Sequence, residues 1–298
     1  MSADAASNGV RRLRPNELRG YWSRLSSRFL ADDPEGLAVI CYAGMPAWFN
    51  GFLDRYQRVA FARLTRDVDI AGKRVLDIGT GVGRWARVFV ERGAAEVVGI
   101  DLDRPRLAAA RSRTAGDAAG FKQMSIEHLA FGPESFDIVN SVTVLQHVDH
   151  DTKRRALKEV ARVLRPGGRA VLFELTDMSD DAPHVFPARA EEWTSMCRDA
   201  GLEVKRTTGD QYMPLIRLGK AALSRGRIDG FKSGGPRQNG LRPAALALRA
   251  LVLLSYPVEE VCRRLLPASA ARISGFLLRK AEPLPSFQRD ATPRRAAA

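Results

Sequence analysis

The sequence predicts an α/β fold, a doubly wound and mostly parallel sheet preceded by helices and interrupted near its end by a helical insertion. Two observations carry this. Apolar runs near residues 74 to 79, 96 to 101, 120 to 124, 136 to 140, 169 to 175 and 202 to 207 alternate with helix-length segments. That rhythm requires a parallel sheet covered on both faces. The first run, Val75-Leu76-Asp77-Ile78, breaks into three alternate glycines, Gly79, Gly81 and Gly83, and the second ends in an acid, Asp101, 22 residues beyond Gly79. Glycines there let the chain turn sharply while a ligand approaches the backbone. A carboxylate ending the neighbouring strand can accept both hydroxyls of a ribose.

Taken in order, residues 1 to 14 are small, polar and basic and read as a disordered lead. Helical patterns follow from Glu17 to Leu30 and from Phe52 to Leu64, the second with Leu53, Tyr56, Ala60 and Leu64 on one stripe. Residues 15 to 68 are therefore expected to form a helical lid, with an aromatic loop from Cys41 to Asn50 between the helices. In the core, residues 69 to 208, the segment Arg162 to Gly168 ends a helix, turns on Pro166-Gly167-Gly168 and starts the strand Ala170 to Glu174. Beyond it come a helical piece near 213 to 224, a basic glycine-rich loop from Arg225 to Gly240, and two helical pieces around 243 to 255 and 258 to 266. Residues 282 to 298 read as a loose tail.

The glycine spacing separates two kinds of nucleotide. A dinucleotide fingerprint would place its third glycine at position 84, where this chain has Arg84 followed by Trp85. The spacing Gly79, Gly81, Gly83, with Asp77 inside the strand, instead resembles the first motif of the class I S-adenosylmethionine-dependent methyltransferases of small-molecule type. Ser125 to Phe131 with Ser135 to Val139, then Ser141 with Val144 to Val148, then Arg162 to Glu174, are similar to that family's later segments. The likeness spans about residues 70 to 208.

This resemblance implies a Rossmann-like, seven-stranded sheet with an antiparallel last strand. The candidate is Gly275 to Lys280, within residues 273 to 281, which makes residues 209 to 272 an insertion on the acceptor side. It implies S-adenosylmethionine as cofactor and no metal. Asp77, Gly79, Thr80, Gly81 and Gly83 would hold the methionine half, Asp101 and Leu102 the ribose, and Ser125, Ile126 and Glu127 the adenine. Ser125 departs from the acid of many relatives, so Ile126's backbone is expected to help with the base. Ser141 would lie beside the reacting end, and Tyr21 with Trp22 resembles the aromatic pair of an N-terminal helix that closes over the cofactor, with anchoring of that helix to the core as the alternative.

Methyl transfer from a sulfonium is an in-line displacement, for which positioning supplies much of the acceleration. A hydroxyl acceptor benefits from a base, and His147, just after the fourth strand, is the candidate. Glu174, at the end of the fifth, could orient His147 or bind an ammonium, or be a solvated strand-end carboxylate. Trp22, Trp48, Asn50 and Gln146 are the candidate acceptor contacts, with packing as the alternative for the aromatics.

Composition narrows the partner. The chain has 298 residues, 45% apolar, and its longest apolar run, Ala244 to Tyr256, is interrupted by Arg249 and too short to span a bilayer. Three scattered cysteines fit a reducing compartment, and no export signal is evident, so a cytoplasmic enzyme is expected. Of the net charge of +13, the residues after 208 carry +10, from 16 basic and 6 acidic groups. Eight cations between Arg217 and Arg249 against the single acid Asp229 support an RNA methyltransferase as an alternative, but the segment's one aromatic, Phe231, weighs against nucleic acid. A small-molecule acceptor, a secondary metabolite or sugar derivative methylated on nitrogen or oxygen, is the leading expectation. Leu246, Leu248, Leu251, Val252, Leu253 and Leu254 beside that basic loop leave open a lipid or quinone acceptor with peripheral membrane contact. A non-catalytic binding subunit is the alternative from another class. Nothing in the sequence fixes the oligomeric state.

Overall fold

The computed structural model describes residues 11–30, 36–37, 41, 47–114, 116, 118–180, 182–214 and 243–282. The expected lead before residue 11, residues 42–46 of the Cys41 to Asn50 loop, the helical piece after Pro214, the loop from Arg225 to Gly240 and the tail after residue 282 lie outside the described residues, and the end of that expected loop, Ala47 to Asn50, is instead the start of a helix.

Helix α1 (Pro15–Phe29) starts where Pro15 fits the first helical position and the Glu17 carboxylate accepts the Arg14 N–H at 2.8 Å. Helix α2 (Ala47–Leu64) buries Leu53, Tyr56, Ala60 and Leu64, the stripe expected from sequence, together with Phe49, Asn50, Gln57 and Phe61. The core then alternates β1 (Arg74–Ile78), α3 (Arg84–Glu91), β2 (Glu96–Asp101), α4 (Arg104–Arg113), β3 (Ala119–Gln123), β4 (Phe136–Val142), α5 (His150–Val163), β5 (Leu164–Leu175), α6 (Ala190–Asp199) and β6 (Leu202–Asp210). Helix α7 (Pro243–Leu265) and β7 (Ile273–Lys280) complete it.

The sheet order is β3-β2-β1-β4-β5-β7-β6. Pairings from β3 to β5 are parallel, and β7 inserts antiparallel between β5 and β6. Both faces of the parallel part are covered. Leu76, Ile78, Val139 and Leu172 pack on the α5 and α6 side, while Val75, Val97, Ile138 and Val171 pack with α2 and α3. That two-sided burial is why the strands are near-continuous apolar runs. The turn expected at Pro166-Gly167-Gly168 is a bulge at the start of β5, where the register with β4 shifts and Gly167 takes φ of +73°.

One expectation fails. The two helical pieces expected around 243 to 255 and 258 to 266 are a single helix, α7, with Pro257 inside it. Pro257 is exposed on the side of Leu253 and Leu254, where a carbonyl left without its N–H partner can be hydrated. The opposite side of α7 packs on α2: Tyr56 donates to the Val252 carbonyl at 3.3 Å and shares a 3.0 Å hydrogen bond with Ser255.

Candidate functional site

A cavity opens over the C-terminal ends of β1, β2 and β4, where order reversal in a parallel sheet leaves a crevice, and α1 closes one side of it through Leu18 and Trp22. Gly79 and Thr80 line it, whereas Gly81 and Gly83, expected to hold the cofactor, lie behind its wall and shape the turn. Gly79, Gly81 and Gly83 all have positive φ, of 62°, 54° and 77°. A Cβ on Gly79 would lie 2.3 Å from Val144 Cγ2, so two turns meet at a separation only glycine permits. Gly83 caps α3 in the left-handed conformation.

The acids flanking this turn differ in duty. Asp101 lines the cavity; its Oδ2 accepts the Gly81 N–H and its Oδ1 the Asp103 N–H, each at 2.9 Å. One carboxylate thus ties the first turn to the second and keeps lone pairs for a ligand. Asp77 is 1% exposed and is absent from the cavity wall. It accepts Thr80 Oγ1 at 2.6 Å and Asn140 Nδ2 at 2.7 Å, locking the glycine turn to β4, and burial pushes its carboxyl up to about 6. The expected cofactor contact of Asp77 is therefore corrected to support of the turn that would make it.

Thr80, Leu102, Ser125, Ile126 and Glu127 line the cavity as expected by position. Ser141 is wholly buried behind the wall, its Oγ 3.4 Å from Glu174 Oε1. Tyr21 does not line the cavity either; it stacks on His184 at 4.6 Å, as expected of an aromatic that anchors α1 to the core. Trp22 does line it, edge-on to His147 at 4.7 Å.

His147 ends a one-turn 3-10 helix, Leu145–His147, and stands on the wall. Its Nδ1 lies 2.8 Å from the His184 carbonyl, and the Gln146 side-chain amide lies 3.4 Å from its Nε2. Because Gln146 Oε1 accepts the Leu175 N–H at 3.0 Å, the Gln146 NH2 group must be the one facing His147. The imidazole then carries its proton on Nδ1 and a lone pair on Nε2. Burial, with His184, Arg106 and Lys153 nearby, holds its pKa down to about 3, so it is neutral at physiological pH. Gln146, expected to touch the acceptor, is buried off the cavity and fixes this tautomer instead.

Glu174 is also corrected. It is wholly buried, so it is no solvated carboxylate, and it neither lines the cavity nor touches His147. Its oxygens accept the N–H groups of Val144 at 3.3 Å, Leu145 at 3.0 Å and Gln146 at 2.9 Å, clasping the turn that presents His147. The expected acceptor contacts Trp48 and Asn50 face elsewhere: Trp48 joins Phe49, Leu53, Tyr56 and Val252 in a cluster between α2 and α7, and Asn50 is buried on the same helix.

Four wall or near-wall residues had no place in the sequence reading of the site. Arg84 and Trp85 open α3, with Arg84 donating to Asp54 at 2.8 Å and Gln57 at 2.5 Å. Among the described residues, Arg84 Nε, Trp85 Nε1 and Arg106 Nη2 are buried without a hydrogen-bond partner, and all three residues line this one cavity. Thr143, β-branched, is held at φ of +56° beside them, strain of the sort that collects at working sites. Arg84 was visible only as the occupant of a missing glycine's slot.

A methyltransferase domain model matches residues 76–172, from β1 through most of β5. The ubiquinone biosynthesis O-methyltransferase of Pseudomonas paraeruginosa is 33% identical over 175 residues, covering 51% of this chain and 74% of that protein. The chain belongs to the class I S-adenosylmethionine-dependent methyltransferases. The Marinobacter nauticus protein of the same name is 30% identical over 178 residues, 51% of this chain and 73% of that one. Among solved structures, an S-adenosylmethionine dependent methyltransferase from Mesorhizobium loti matches with a TM-score of 0.50 at 17% identity, over 75% of this chain and 99% of that one. The [4+2]-cyclase SpnF matches with a TM-score of 0.51 at 22% identity, over 77% of this chain and 81% of that one. Those two likenesses show the fold alone.

The methyltransferase uses S-adenosylmethionine, and its cavity fits that molecule on its own terms. A backbone cradle too tight for a Cβ, an acid with spare lone pairs and two unpaired donors at the start of α3 are what an adenosyl group with a charged amino-acid tail needs. Among the described residues, no cluster of three or more His, Cys, Asp or Glu could hold a metal ion. No helix of the described residues is long and apolar enough to cross a membrane.

Proposed function

We propose that this methyltransferase methylates a hydroxyl oxygen of a small molecule and that His147 takes the proton. The neutral, tautomer-fixed imidazole on the cavity wall carries this reading. S-adenosylmethionine, when bound, supplies a methyl group on positively charged sulfur. In this reading the Gly79 to Gly83 turn and Asp101 hold its backbone-facing side and ribose, and Leu102, Ser125, Ile126 and Glu127 flank the adenine. Arg84 Nε and Trp85 Nε1 receive the methionyl carboxylate, and Trp22 closes the site against water.

An imidazole with a pKa of about 3 is a weak base, yet a hydroxyl becomes strongly acidic as carbon bonds to its oxygen. His147 Nε2 therefore accepts the proton late, after the acceptor displaces the long contact from Gln146. That relatives are named O-methyltransferases supports oxygen over nitrogen. The test is transfer of a tritiated methyl group to catechols and to matched anilines. His147→Ala is expected to lower kcat roughly 100-fold with little change in affinity for S-adenosylhomocysteine. An unaltered rate would remove His147 from the reaction, and transfer to anilines alone would overturn the oxygen assignment.

A second reading, a lipid or quinone acceptor reached at a membrane surface, has one observation in its favour. Leu253, Leu254, Val261 and Leu265 are 59%, 65%, 53% and 76% exposed on α7, with the exposed Arg264 beside them. Of the leucine run expected to form this surface, Val252 is buried against α2, and the side chains of Leu246 and Leu248 lie outside the described residues. Cosedimentation with anionic liposomes is expected to fall at least severalfold in the Leu253→Asp/Leu254→Asp double variant. Equal sedimentation of both proteins would dismiss the surface.

A further inference from the structure

Of the three cavity donors buried without a partner among the described residues, Arg106 Nη2 is the one that the cofactor assignment leaves unused. It is 7% exposed, lies in the first turn of α4, and reaches α1, where its Nε donates to Ser26 Oγ at 3.0 Å. Its guanidinium carbon sits 4.9 Å from the centroid of the Trp22 ring. Its Nη2 is buried and unpaired among the described residues.

The carboxylates nearby do not satisfy it. Asp101 accepts the Gly81 and Asp103 N–H groups and makes no hydrogen bond to the Arg106 side chain, and Asp103 Oδ2 accepts the Arg106 backbone N–H while standing 3.8 Å from the side-chain Nε, an ion pair without a hydrogen bond. Arg84 is held more fully: its guanidinium donates to both Asp54 and Gln57, which leaves only its Nε unpaired, whereas the Arg106 side chain donates to no carboxylate. A buried, unpaired guanidinium N–H is costly unless a ligand completes it.

Trp22 sets the geometry. Arg106 and His147 contact the same indole, at 4.9 and 4.7 Å from its centroid, and both line the cavity, so one acceptor seated against Trp22 can meet both. We infer that Arg106 is a specificity residue that receives an anionic group, a carboxylate or its equivalent, carried by the acceptor on the side away from the hydroxyl that meets His147. Planar pairing with a carboxylate suits a guanidinium better than an ammonium. This rests on the O-methylation reading only for where the acceptor lies.

The experiment titrates 3,4-dihydroxybenzoate and, separately, catechol into the protein saturated with S-adenosylhomocysteine, by calorimetry. The expected result is a preference for the benzoate of about 10- to 100-fold, the usual worth of a charge-assisted hydrogen bond. Arg106→Gln should erase the preference and Arg106→Lys keep a part of it. No preference in the wild-type protein overturns the inference, whether or not Arg106→Gln folds. So does a preference that survives Arg106→Gln, or a matching loss of S-adenosylhomocysteine affinity, which would assign Arg106 to the cofactor. Methyl transfer is read separately: Arg106-dependent benzoate binding without transfer would sink the O-methylation reading and leave the anion site standing.

Discussion

Gly79→Ala is expected to weaken S-adenosylhomocysteine binding by about 100-fold. The added Cβ would stand 2.3 and 2.8 Å from the two Val144 methyl carbons, at a backbone φ of +62° that a side chain resists. The backbone term costs about 1 to 2 kcal/mol and the overlap about 1 to 3 kcal/mol more. Val144 cannot simply swing aside, because its N–H is held by Glu174 and it begins the turn that presents His147. Relief of the clash therefore moves the glycine turn, the His147 turn or both. Gly72→Ala separates the two causes. Gly72 has φ of +70° but nothing within 4 Å of its would-be Cβ, so it should lose about 1 kcal/mol of stability and no affinity. Calorimetric titration of both variants decides the matter, and wild-type affinity in Gly79→Ala would mean that this turn does not cradle the cofactor.

What the sequence disclosed follows the range of the interaction. The strands were legible because burial on both faces writes an apolar run, and the glycine turn and Asp101 because a backbone conformation and a strand end are local features. Gln146 and Glu174 were misplaced for a different reason. Each sits in a segment whose positions do approach the site, but their side chains turn inward to backbone N–H groups of other strands and turns, and neighbours in sequence do not specify that choice. Trp48 was assigned to the cavity from its aromatic surroundings, which in fact serve the α2 to α7 contact nearly 200 residues apart in sequence. Arg106 left no trace because an arginine on a short helix is ordinarily solvated. The docking of α1 brings Ser26 and Trp22 against it, a contact far away in sequence.

Glu174→Ala should be the most destabilising single change near the site, because it strands three consecutive N–H groups in a wholly buried place. At about 1 kcal/mol or more for each unsatisfied donor, the loss is on the order of 3 kcal/mol, a Tm lower by roughly 5 to 10 °C. Turnover should fall further than stability alone explains, since the freed turn carries His147. Glu174→Gln keeps one accepting oxygen and should lie between. The pH dependence distinguishes a charge from a mere acceptor. Burial pushes the Glu174 carboxyl up to about 7, against the three N–H groups and the nearby Lys153 ammonium. Between about 4.5 and 7 the folded protein thus holds a proton that the unfolded chain has released, so this contribution is full at low pH and is lost as pH rises through 7. His147 runs the other way: lowered to about 3 from 6.5, it costs stability as pH falls below 6.5, because the unfolded chain takes up the proton first. Glu174→Gln removes the first slope and leaves the second. Scanning calorimetry should therefore show the Tm difference between wild type and Glu174→Gln shrinking as pH rises from 4.5 to 7, whereas a constant difference would mean that Glu174 keeps its ordinary pKa and acts through geometry alone.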